Sequence, residues 1–177
     1  MIRPKFLAPA LWLVAALASG ADTFNWTHWR GPKQTGASLE TYEKHLLPTE
    51  PLWKVDLAGQ GTPIVVDGKM FVFGYRGEFD DLVETLTCLD AATGKPVWEK
   101  QFRDFISDTA YNRYAIGSPA YDAETKQVYL QTTNGYFVCC DAATGDIKWR
   151  HSLMEAVGRI TFPNGRTGAP VVEGDTV

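Results

Sequence analysis

One stretch of this chain occurs twice. Cys88-Leu89-Asp90-Ala91-Ala92-Thr93-Gly94-Lys95-Pro96-Val97-Trp98 returns as Cys139-Cys140-Asp141-Ala142-Ala143-Thr144-Gly145-Asp146-Ile147-Lys148-Trp149, with Asp90 matching Asp141 and Trp98 matching Trp149 at an offset of 51 residues. Five consecutive identities and a tryptophan in register mark a structural repeat. A second landmark recurs with each unit: Gly61-Thr62-Pro63, Gly117-Ser118-Pro119 and Gly168-Ala169-Pro170, with Trp98 21 residues before Pro119 and Trp149 21 residues before Pro170. A small sheet of this size cannot bury its own two faces, so such units must stack on one another.

The residues inside the unit point to an all-β fold. Aromatic residues make up 12% of the chain, and 16 Gly and 10 Pro interrupt it at short intervals, which favours many short strands over long helices. Asp90 and Asp141 can accept backbone N–H bonds two residues on, while Gly94 and Gly145 can take the positive φ that closes a tight hairpin. Trp98 and Trp149 then offer a flat apolar surface to a neighbouring unit, with an indole N–H left for a carbonyl. The pattern predicts strands at 62–67, 69–74, 83–89 and 96–102 in one four-stranded antiparallel sheet. A second sheet is expected from 117–122, 126–132, 136–141 and 147–151, stacked on the first.

Residues 1–21 read as a cleaved secretory leader. Arg3 and Lys5 give a basic start, the apolar stretch from Phe6 to Leu17 is too short to span a bilayer, and Ala18, Ser19, Gly20 and Ala21 suit a signal peptidase. Gly20 stands where a lipidated cysteine would be, so a soluble mature protein is expected, periplasmic or extracellular. Removing the leader takes away two cations and no acid, moving the net charge from −4 to −6. Such a surface repels phosphate backbones and argues against a nucleic-acid partner.

Here the sequence resembles a known family. The spacing Ala-x-Asp-x-x-Thr-Gly-x-x-x-Trp is the tryptophan-docking motif of quinoprotein-type β-propellers, the pyrroloquinoline-quinone-like repeat proteins. Both copies match it, at Asp90, Thr93, Gly94 and Trp98 and at Asp141, Thr144, Gly145 and Trp149, but carry Cys88 and Cys139 where the family has alanine. The opening Trp26-Thr27-His28-Trp29-Arg30-Gly31-Pro32, followed by Gly36-Ala37-Ser38, is similar to the start of secreted propellers of planctomycete-type bacteria. The resemblance implies a partial β-propeller with a period of about 51 residues: blades at 62–102 and 117–151 and the start of a third at 168–177. It further implies that segment 22–61 holds a ring-closing strand near Trp53, and that the chain is an N-terminal fragment of a parent with roughly seven or eight blades, with open edge strands prone to aggregation.

Several residue groups were candidates for chemistry. Adjacent cysteines form a ring beside the cofactor in quinoprotein alcohol dehydrogenases, but Cys139-Cys140 runs straight into the repeated turn, where neighbouring strand side chains point to opposite faces. A buried free thiol is the expectation for Cys88 and Cys139. His28, His45 and His151 lack metal-ligand spacing and are expected to be surface or satisfied histidines. Ser152 and Glu155 can form a capping box, and Asn25-Trp26-Thr27 fits a glycosylation sequon that a bacterial source would leave idle. The long connections between units carry Asn112 and Arg113, then Asn164 and Arg166, with Asp104 and Arg159 nearby. Two arginines converging on one propeller face would suit an anion or a partner; holding the loops in place is the plainer role.

Two functions from different classes follow from the resemblance. The first is a non-catalytic binding or scaffold propeller with a protein or cell-envelope partner, as in the scaffold subunit of the outer-membrane barrel-assembly machinery. The second is a fragment of a quinoprotein dehydrogenase that oxidises alcohols or sugars with pyrroloquinoline quinone (PQQ) and calcium. The enzyme needs a general base, metal-ligating oxygens and a cofactor platform in one channel. These residues do not assemble that set, so no metal ligand and no catalytic residue is assigned and the scaffold is favoured.

Overall fold

The computed structural model describes residues 25–38, 40, 49–103, 114–158 and 168–177. The leader and the loop residues Asp104, Asn112, Arg113, Arg159, Asn164 and Arg166, together with His45, lie outside the described residues. Eight strands form two four-stranded antiparallel sheets, each a simple meander. The first contains β1 (Ile64–Val66), β2 (Lys69–Arg76), β3 (Val83–Asp90) and β4 (Pro96–Phe102). The second contains β5 (Ala120–Asp122), β6 (Gln127–Gln131), β7 (Tyr136–Asp141) and β8 (Ile147–Ser152). These are two blades of a β-propeller.

Local chemistry explains most boundaries. Asp67 and Gly68 join β1 to β2 with φ of 49° and 73°, the double positive φ of the favoured two-residue hairpin. β1 and β5 start later than expected, at Ile64 and Ala120, because Pro63 and Pro119 have no N–H for a ladder and the residues before them bond elsewhere. The Thr62 N–H donates to Ser118 Oγ at 2.7 Å, tying one Gly-x-Pro corner to the next. Gly61 is required there, since a Cβ would lie 2.2 Å from the Gly117 carbonyl oxygen. After β8 the chain forms one short helix, α1 (Leu153–Val157), whose N-cap Ser152 accepts the Glu155 N–H at 3.3 Å.

Burial follows position in the blade. Glu84 through Leu89 of β3 are all buried, because a middle strand is covered on both faces, whereas the outer strands β4 and β8 are largely open. A single core crosses both sheets: Ile64, Phe71, Phe73 and Leu86 pack with Tyr121, Val128, Leu130, Val138 and Cys140. Phe71 and Tyr121 stack across the boundary with centroids 6.4 Å apart. The N-terminal segment crosses the first strands of both blades. Trp26 exchanges two backbone bonds with Val65, and the Thr27 carbonyl accepts the Tyr121 N–H at 2.9 Å. No helix among the described residues is long and apolar enough to cross a membrane.

Candidate functional site

The repeated turns hold their own shape. Asp90 Oδ1 accepts both the N–H of Thr93 at 2.8 Å and its hydroxyl at 2.7 Å, so the bond reaches three residues on rather than two. Asp141 Oδ1 accepts the Ala143 and Thr144 N–H groups. Gly94 and Gly145 have φ of 69° and 74°. The Thr93 bonds hold the Asp90 carboxyl below its usual range, and the Lys148 ammonium with the Ala143 and Thr144 amides does the same for Asp141.

Each turn receives a tryptophan from the preceding part of the chain. The Trp98 ring lies on Gly145, where a Cβ would come within 2.6 Å of the indole, and its Nε1 donates to the Ala142 carbonyl at 3.0 Å. Trp53 repeats this arrangement on Gly94, with Nε1 donating to the Ala91 carbonyl at 3.0 Å. Leu52 to Val55 form no strand; the segment meets the first sheet through Trp53 and then through Ala58, whose carbonyl accepts the Tyr75 N–H. Trp149 packs within its own blade among Tyr129, Phe137 and His151.

The cysteines belong to the packing. Cys88 and Cys139 sit opposite Trp98 and Trp149, each beside a register shift, and all three thiols are free and buried. Cys139 Sγ bonds Gln127 Oε1 at 2.9 Å, while Cys140 enters the core shared by the two sheets. Burial pushes the Cys88 thiol up to about 11 and Cys140 up to about 12, so neither supplies a thiolate near neutral pH.

Two polar features escaped the sequence reading. The first is Glu84, fully buried at the start of β3. Its carboxylate accepts the Ala115 N–H at 2.7 Å, the Thr133 N–H at 2.9 Å and the Thr133 hydroxyl at 2.5 Å, clamping the first blade to two segments of the second. The second is a cavity of about 380 Å³ at the turn end of the first strands, lined by Asn25, Thr27, His28, Tyr121, Asp122 and Glu124 among others. His28 is 8% exposed, its Nδ1 lies 2.8 Å from the Thr27 hydroxyl, and its Nε2 is buried without a hydrogen-bond partner. This corrects the expectation of a surface or satisfied histidine: the paired N-terminal backbone carries the imidazole in beside the end of β5, away from water. His151, by contrast, is exposed.

Burial lowers the His28 pKa, and the Asp122 charge opposes that only in part. A folded-state value below the ordinary one of about 6.5 means that the unfolded chain binds the extra proton more readily. This contribution to stability is therefore complete above about pH 6.5 and is lost as the pH falls below it. Thermal melts between about pH 8 and pH 5 should show that decline, and His28→Gln should flatten it. An unchanged pH slope in the variant would place the titration elsewhere.

Among the described residues no group of three or more His, Cys, Asp or Glu is placed to hold a metal ion. The candidate partner-face residues Asn112, Arg113, Asn164 and Arg166 lie outside the described residues, so their convergence stays an expectation from the sequence.

Solved structures similar to this chain include the quinohemoprotein alcohol dehydrogenase from Comamonas testosteroni, 19% identical over 77% of this chain and 21% of that one, with a TM-score of 0.48. A europium-containing methanol dehydrogenase is 20% identical over 54% of this chain and 16% of that one, with a TM-score of 0.41. BamB from Moraxella catarrhalis is 17% identical over 54% of this chain and 35% of that one, with a TM-score of 0.30. The chain thus spans about a third or less of the length of these proteins. No curated protein matches it. A family model described as outer membrane protein assembly factor BamB, a PQQ-like repeat, matches residues 48–177, most of the chain and both blades, and the chain belongs to that family of PQQ-like β-propeller repeat proteins.

Proposed function

We propose that this chain is part of an exported, non-catalytic propeller that binds a protein partner in the cell envelope. The observation that carries this reading is the match of residues 48–177 to a family model described as an outer membrane assembly factor. The basic, apolar and small-residue order of residues 1–21 supports export. We read the stacks of Trp53 on Gly94 and Trp98 on Gly145 as the docking that holds successive blades in a ring, leaving the inter-blade connections with Asn112, Arg113, Asn164 and Arg166 as the partner face.

The described residues do not fit a PQQ platform of adjacent cysteines. Cys139 faces Gln127 and Cys140 faces the shared core, so the two sulfurs serve blade packing on opposite sides of β7. A fluorescence titration of the leader-free chain with PQQ and calcium is expected to show no saturable binding. Tight, calcium-dependent quenching would overturn the scaffold reading in favour of a quinoprotein dehydrogenase.

A further inference from the structure

We propose that residues 25–32 form an acid-released strap, which covers the free edges of β1 and β5 while the His28 imidazole is neutral and lets go of them when it takes a proton. The strap is held by few contacts. Trp26 exchanges two backbone bonds with Val65, the Thr27 carbonyl accepts the Tyr121 N–H, and the Asn25 side chain bonds the Asp67 amide and carboxylate. Of the side chains of residues 25–38, only that of His28 is buried. A segment anchored by three backbone bonds, one side-chain pair and one buried imidazole sits at the low-stability end of a fold, and it can open while the blades stay folded.

The imidazole is the part of that anchor that titrates. Its Nδ1 lies 2.8 Å from the Thr27 hydroxyl, and its Nε2 is sealed from solvent with no hydrogen-bond partner among the described residues. Whichever nitrogen carries the proton in the neutral ring, the imidazolium carries one on both, so Nε2–H becomes a buried donor without an acceptor. A released strap hydrates the same charge. Among the described residues the titratable groups around the ring are Tyr121, Asp122 and Glu124, from β5 and its turn, while Val172 and Gly174 of the last segment bring no charge. Burial sets the His28 pKa below its ordinary value; the Asp122 carboxylate, already engaged by the Glu124 and Thr125 amides and the Thr125 hydroxyl, opposes that only in part. Release therefore takes up a proton: docking is undiminished above about pH 6.5 and weakens by at most about tenfold for each pH unit below it. Opening frees the Val65 N–H and carbonyl and the Tyr121 N–H, strand-edge groups that can pair with another strand. This device is independent of whether the propeller is a scaffold or an enzyme.

The test is amide hydrogen exchange of the full chain, corrected for the pH dependence of the chemical exchange rate. Trp26, Val65 and Tyr121 donate the strap's backbone bonds and read its release, with Leu86 and Val138 on interior strands as the internal reference. Protection at the three strap amides is expected to fall about three- to tenfold between about pH 7.5 and about pH 5.5, while that at Leu86 and Val138 holds. His28→Gln and His28→Phe each occupy the position without titrating, and either should make the strap amides insensitive to pH over that range. Strap protection that does not change in the wild type would overturn the proposal. So would an equal fall in both variants, which would place the titrating group elsewhere, or an equal fall at Leu86 and Val138, which would mean that acid loosens whole blades rather than the strap.

Discussion

Replacing Trp98 with alanine is expected to cost about 3–5 kcal/mol of stability, the usual penalty for deleting a large aromatic from a packed contact. The indole joins three things at once: it lies on Gly145, donates to the Ala142 carbonyl, and packs 5.8 Å from the Phe71 ring. Truncation opens a gap between the blades and leaves that carbonyl to water. Gly145→Val attacks the same contact from the other side, because a side chain there meets the indole and a β-branched residue resists φ near 74°. Since the two residues touch, their effects should not add, and a double-mutant cycle should show coupling of about 0.5–3 kcal/mol. Chemical denaturation of the single and double variants measures both quantities. A Trp98→Ala chain as stable as wild type would remove this residue from the inter-blade contact.

Glu84→Ala is expected to cost a comparable amount, about 2–6 kcal/mol, through a different mechanism. The change leaves the buried N–H groups of Ala115 and Thr133 without their acceptor, each at about 1–3 kcal/mol. Glu84→Gln keeps the shape and one acceptor oxygen but places an NH2 against a donor, so it should fall between alanine and wild type. Because the clamp joins β3 to the approach to β5 and to the β6–β7 turn, hydrogen exchange at Thr133 should rise in the variant along with the fall in melting temperature. Unchanged protection at Thr133 would show that the carboxylate does not hold that turn.

The blades and their turns were legible because they rest on local rules. Asp67-Gly68 specifies a two-residue hairpin, Asp90 to Gly94 and Asp141 to Gly145 carry the bonds and positive φ of their own turns, and each strand lies within a few residues of its expected bounds. Even the late starts of β1 and β5 have a local cause in Pro63 and Pro119. The candidate site was much less legible. Nothing near His28 in the sequence says that its Nε2 will be buried, since that depends on Trp26 pairing with Val65 and Thr27 with Tyr121, partners 39 and 94 residues away.

Glu84 is the same kind of case, an ordinary glutamate in a strand until the fold brings Ala115 and Thr133 to it across 31 and 49 residues. The order of amino acids therefore settled the repeat, the strands and the turns, where hydrogen bonds and backbone preferences act over a few residues. Which polar atoms became buried between the blades was settled by packing. Burial is a property of the assembled surfaces, and a side chain's solvent is whatever distant part of the chain comes to rest against it.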